Sequence, residues 1–340
     1  EFYSNPSNAE LFSYASTWYG DRFDQTINLL SEQFPELNNQ DERSFFTFLV
    51  GITSPSQAPE PNLMNAINEF MIDKGFPTDT KTSEAVSNQI ATFKTIAKHK
   101  GGHTAALDFL SRRMTGKELK KELFEMGLYK NTIKAGKKPG EVVGPLPSGI
   151  TAEETVYGME IFGPKVGAFT LNLAGVEDIP TIDLWMLRNI ASHLGQPFDN
   201  KSLAQANYQL KRAKDKGPTK TDWADNLVRT DFRDNGNRKR IKLYREVVTS
   251  VQQEFNKETG ENFSAADIQA LIWYMEKSIF TSMGTTGSTV SMADYLSVAE
   301  NLVNSGGVFN ENTLRRIRDP KRLEQERKAE EILSRDDKAV

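Results

Sequence analysis

The sequence predicts an all-α fold. Apolar residues recur at helical spacing through most of its 340 residues. No alternating apolar and polar pattern recurs, so no sheet is expected. Prolines at 55, 59, 61, 77, 139, 145 and 147 fall between the periodic stretches, where a helical chain needs loops.

Taken in order, residues 8–35, 61–74, 84–99, 104–114 and 117–126 carry helical spacing. The organising stretch runs from Thr151 to Arg188. Thr151 followed by Glu154 reads as a capping box, which predicts a helix ending near Glu160. Gly163 breaks it, and Pro164 suits the first position of a second helix that runs to Ala174. Val166, Phe169, Thr170 and Leu173 share a face of that helix, and Gly175 closes it. Asp183 then stands where an N-cap belongs, ahead of LWMLRNIASHLG. Further helices are predicted near 201–213, 221–230, 238–258 and 264–283, the last opened by Ser264 with Asp267. Residues 284–308 are rich in Gly, Ser and Thr around one helix at 292–303. From Glu311 the tail is highly charged and reads as a solvated, partly helical arm. No internal repeat is visible.

The length allows one large or two modest domains with a proper core. Zero cysteines exclude disulfides and thiolate metal sites. His99, His103 and His193 show no metal-ligand spacing, and no cofactor is implied. No apolar run approaches the ~20 residues of a membrane span, and no signal peptide is visible, so a cytoplasmic protein is expected. Residue 1 is Glu, which is consistent with a processed product or a piece of a larger polypeptide. The net charge is −4, yet charge is unevenly spread: residues 94–138 hold 12 Lys and Arg against 4 Asp and Glu. Basic runs recur at 211–220 and 237–240. A locally basic face on an acidic protein can track phosphates, although each run read alone is a solvated helix face.

Two short helices joined by a tight Gly-containing turn form a helix-hairpin-helix, whose unpaired amides make an anion site and a seat for a DNA phosphate. Gly163 and Pro164 lie in that turn. Lys165 opens the second hairpin helix, and Asp183 follows 18 residues later. Gly-Pro-Lys, an apolar helix, then Ile-Asp with an Arg five residues after the Asp resembles the helix-hairpin-helix DNA glycosylase superfamily, which includes endonuclease III and 8-oxoguanine DNA glycosylase. FFTFLVGITSPSQAP at 45–59 is similar to the family's apolar helix ending in a turn whose Gln enters the DNA stack; Gln57 matches that Gln. Gly127-Leu128-Tyr129 resembles the family's Gly-Leu-Tyr before a basic helix, which here would bring Lys130 and Lys134 to DNA. The resemblance covers about residues 40–190. It departs from the pattern at Ile161 (a Gly in the family), Gly167 (an Ala) and Leu184-Trp185 (Thr-His). Without cysteines, the iron–sulfur cluster of some members is excluded.

The resemblance implies a two-lobed fold: 42–175 as the hairpin lobe, 8–41 with 182–283 as the second lobe, and 284–340 as an appended segment. Double-stranded DNA with a damaged or modified base would lie across the cleft, bound by a monomer in the nucleoid or on phage DNA. It also implies base excision, with Lys165 as a Schiff-base nucleophile giving AP-lyase activity and Asp183 as the carboxylate beside C1′. Read alone, Asp183 is an N-cap and Lys165 a surface or phosphate-contacting lysine. Behind the hairpin, at this interval, they read as a catalytic pair. Phe169 reads as a core residue or as a wall of the base pocket, and Trp185 as a cleft residue or inter-lobe packing. Trp273 and Tyr274 read as core. Two alternatives stand beside base excision: a glycosylase-fold enzyme modifying thymine-derived bases in phage DNA, and a non-catalytic DNA-binding module of a large phage or mobile-element protein.

Overall fold

The structure is a computed structural model that describes Ala15 and residues 18–55, 57, 59–75, 82–128, 146, 149–176, 178–193, 237–282 and 294–304. The predicted helices at 201–213 and 221–230, the charged tail, Lys130 and Lys134 lie outside the described residues. The described chain is predominantly helical. Its helices are α1 (Gly20–Ser31), α2 (Gln40–Thr53), α3 (Pro59–Asp73), α4 (Glu84–Lys100), α5 (His103–Leu110), α6 (Gly116–Glu125), α7 (Pro164–Leu173), α8 (Leu184–His193), α9 (Asn237–Thr259), α10 (Ala265–Ser282) and α11 (Tyr295–Asn304).

One correction falls on the hairpin. The stretch after Thr151 is not an α-helix. Half of the anticipated capping box forms, with Thr151 N–H donating to Glu154 at 3.4 Å, but the chain then enters a strand, β2 (Thr155–Tyr157), and a 3-10 helix (Gly158–Phe162). β2 pairs antiparallel with β1 (Arg113–Thr115), which takes the end of the predicted 104–114 helix. The physical cause is tertiary. Gly116 N–H donates to Glu154 C=O at 2.8 Å and Lys117 N–H to Ala152 C=O at 2.9 Å, so residues 152–154 are held in a bend against the start of α6. A Cβ on Gly116 would sit 1.9 Å from the Thr151 carbonyl oxygen, so only glycine permits this approach. Three paired residues are too few for alternation to show in sequence.

The local signals otherwise act as their chemistry dictates. Asn39 caps α2 and Ser83 caps α4 through side-chain oxygens. Thr115 and Glu118 form a full capping box on α6. Ser264 and Asp267 exchange reciprocal bonds at 3.0 and 2.8 Å to open α10. Gly175, at φ +84°, ends α7, with Val176 N–H turning back to Leu171 C=O at 2.9 Å.

Among the described residues two apolar clusters form. The larger gathers α1 to α7 with α11, around Phe45, Phe46, Phe48, Phe70 and Phe93. The smaller unites Ile182, Met186, Leu187 and Ile190 with Ile241, Tyr244 and Val248 of α9 and Ile268 of α10. Ala266, Ala270 and Tyr274 place α10 in the larger cluster as well, so this helix spans the seam between the two. At the larger core's centre, α2 crosses α7 so closely that a Cβ on Gly51 would lie 1.9 Å from Thr170 Oγ1. Thr170 is fully buried and bonded to Val166 C=O, so it cannot easily yield. Gly51→Ala is therefore expected to lose about 1–3 kcal/mol of stability to overpacking. A denaturation midpoint equal to wild type would contradict this packing.

Candidate active site

Three residues build the hairpin turn. Gly163 takes φ +112°, a conformation that side chains rarely adopt, and as the N-cap residue of α7 it offers no side-chain cap. Pro164 fills the first helical position. Gly167 faces the 3-10 helix, and a Cβ there would fall 2.8 Å from Met159 O and 2.9 Å from Glu160 N. The 3-10 turn draws Ile161 into the core, and the tight contact leaves no room for a side chain at 167.

Lys165 follows directly. Its Nζ donates to Ser54 Oγ at 2.6 Å and lies 4.5 Å from the centre of the Phe169 ring, one helical turn on. Burial pushes the ammonium down to about 8, against the opposing pull of the Asp183 charge. Ser54 caps the end of α2 and commits its own proton to Gly51 C=O at 2.7 Å, so its oxygen serves Lys165 as an acceptor. Phe169 is a core ring and the cushion beneath the amine at once. It is buried, with Tyr19 edge-on at 6.0 Å and Tyr295 tilted at 6.4 Å. Tyr19 is anchored by donating to Gln269 Oε1 at 2.7 Å.

Asp183 is the N-cap of α8. Its Oδ1 accepts the Met186 amide at 3.0 Å, and its Oδ2 accepts the Trp273 indole N–H at 2.9 Å. The carboxylate is thus held on both oxygens, half-buried, and near enough to Lys165 to act on its charge. The structure brings Lys165 and Asp183 to one place from the starts of two helices. Gln57 is exposed in the turn between α2 and α3, where its amide donates to Ser54 C=O at 3.2 Å. The side chain of Trp185 lies outside the described residues. Neither Ser54 nor Trp273 stands out in the sequence as functional; Trp273 packs against the larger core, as its spacing predicts, and also donates to Asp183. A trace of this was available: Gln269, Trp273 and Glu276 recur along one face of an otherwise apolar helix.

Behind the hairpin lies a buried ionic cluster. Glu160 is almost fully buried and accepts from Arg238 at 2.9 Å and from Arg245 at 3.0 Å. Arg238 also binds Glu154 at 2.8 Å, and Arg245 reaches Pro164 C=O at 2.9 Å. This corrects one part of the basic-run reading, because Arg238 in the 237–240 run is used inside the protein. In the 94–138 stretch, Lys94 pairs with Asp73 and Lys100 with Glu122, whereas Lys98, Arg112 and Lys117 are exposed.

An open groove of about 410 Å³ is lined by Asp73, Lys94, Lys98 and His103. It shares no residue with the Lys165 site, and the helix start beside it is already capped, since Asp41 accepts the Thr104 amide at 2.8 Å. Among the described residues no group of three His, Cys, Asp or Glu could hold a metal ion, and no helix is long and apolar enough to cross a membrane. Comparison of the chain with protein-family models, curated proteins and solved structures found no match.

Proposed function

We propose that this protein is a DNA base-excision glycosylase of the two-lobed helix-hairpin-helix kind, with AP-lyase activity through Lys165. The observation that carries the reading is the pairing of a lysine at a helix start, pushed down to about 8 by burial, with a fixed carboxylate at the start of a second helix. Excision breaks the bond between the base and C1′, and the base departs with the bonding electrons. The sugar gains oxocarbenium character, which the Asp183 carboxylate stabilises. The neutral Lys165 amine attacks C1′, loses a proton and forms a Schiff base with the opened sugar, from which the 3′ phosphate can be eliminated. At pH 7 a lysine with a pKa of about 8 is roughly one-tenth neutral, against about one part in 3,000 at the ordinary value.

The amides opening α7 support a phosphate seat, because Gly163 leaves them without a side-chain cap. The exposure of Gln57, in the turn that begins at Ser54, supports a role for it in filling the space of a flipped base. DNA affinity should fall with salt at a log–log slope of about −0.9 per neutralised phosphate, despite the acidic net charge. Filter binding from low to physiological salt checks this, and an affinity indifferent to salt would contradict it.

The function itself is tested with a panel of duplexes, each carrying one damaged or modified base, scored for abasic sites after incubation. Release of one base supports excision. Transfer of an amine to a modified thymine without release would mark a base-modifying enzyme, and binding without chemistry a DNA-binding module.

A further inference from the structure

We propose that Trp273 is the positioning residue of Asp183: it fixes the carboxylate toward the sugar for base release and takes no part in the lysine chemistry. The inference rests on the glycosylase reading of the Lys165–Asp183 pair. Its basis is the geometry of α10, the helix that spans the two apolar clusters. Gln269, Trp273 and Glu276 lie on one face at intervals of four and three residues. Gln269 accepts from Tyr19, Trp273 donates to Asp183, and Glu276 accepts from Asn189 Nδ2 at 3.0 Å. α8 is therefore gripped by α10 at its cap and again at Asn189, through polar bonds in addition to apolar packing.

An N-cap aspartate needs only one oxygen for its helix. Here Oδ1 serves that purpose with the Met186 amide, so a donor to Oδ2 is more than the cap requires. The Trp273 N–H is that donor. An indole can only donate, so the bond survives only with an acceptor and adds no proton that Asp183 could take up. The indole is itself locked by ring contacts, with Trp18 tilted at 5.6 Å and Tyr274 edge-on at 5.2 Å. A donor on a rigid aromatic plate, aimed at the second oxygen of a cap, sets the carboxylate plane more narrowly than the cap alone could.

The test separates two half-reactions. Trp273→Phe keeps the ring packing and removes the N–H. In single-turnover assays on the duplex from which wild type releases a base, the variant should slow base release about tenfold or more, the scale of one hydrogen bond to a charged group. Borohydride trapping on a preformed abasic duplex should stay within about twofold of wild type. In an Asp183→Asn background, Trp273→Phe should add nothing further, because the two residues act through one carboxylate. A merely structural tryptophan would slow both steps together and additively, and either result overturns the proposal. A readout without DNA guards against a misfolded variant: the Trp273 indole N–H proton resonance should move upfield in Asp183→Asn, and an unmoved resonance also overturns it. Failure of the glycosylase reading would look different, as a wild type that releases no base from any duplex.

Discussion

Lys165→Gln is expected to abolish borohydride trapping on abasic DNA while leaving DNA affinity within a few-fold of wild type. The amine is the only part of the site that can make the imine. Glutamine keeps a similar length and polarity above Phe169 but has no lone pair of comparable nucleophilicity. On the proposed reading one lysine is a small part of a phosphate-tracking face, so affinity should barely change. The expected loss is below detection, at least a thousandfold, since the residual route would be a second lysine without the same burial. Trapping that survives the change would move the nucleophile elsewhere in the chain. The variant should also be no less stable than wild type, because it removes a buried amine whose charging the site resists.

The second large effect is structural. Glu160→Ala should cost about 3–5 kcal/mol, because it leaves Arg238 and Arg245 with uncompensated charge in a mostly buried setting. Glu154 retains part of Arg238, and small movements toward solvent would bring the loss to the lower end. Arg245 also holds the Pro164 carbonyl, so α9 would loosen from the hairpin and the start of α7 would move with it. Base release should then fall beyond what lost stability explains at temperatures where the variant is folded. Urea denaturation reads the first effect and single-turnover kinetics the second. A loss under about 1 kcal/mol would show that the arginines find water or other partners without cost.

The helices were legible because their signals are local: apolar spacing, the Ser264–Asp267 cap, Pro164 at a first turn and Gly175 at an end. The site was legible only in its two helix starts. Lys165 and Asp183 stand at positions that sequence can locate, since each follows a break. Their partners were not legible, because Ser54 lies 111 residues from Lys165 and Trp273 lies 90 from Asp183. Nothing in a one-dimensional pattern pairs them. The false helix at 151–160 fails for the same reason. Thr151 and Glu154 present a correct local cap, and backbone bonds to Gly116 and Lys117 outweigh it. Phe169 shows the limit in another form: its helical spacing correctly reads as core, and the same ring also carries the amine.

Lys165 is proposed as the nucleophile, readied by burial. The most direct measurement is borohydride trapping of wild type on an abasic duplex between pH 6 and 10, followed by mass spectrometry of the digested adduct. Lowering a lysine's pKa makes the neutral amine available at lower pH, so adduct formation should rise through a midpoint near pH 8 and then level off, with the sugar fragment on Lys165. An adduct on any other residue, or a yield still climbing steeply at pH 10 as an ordinary exposed lysine would give, would contradict it.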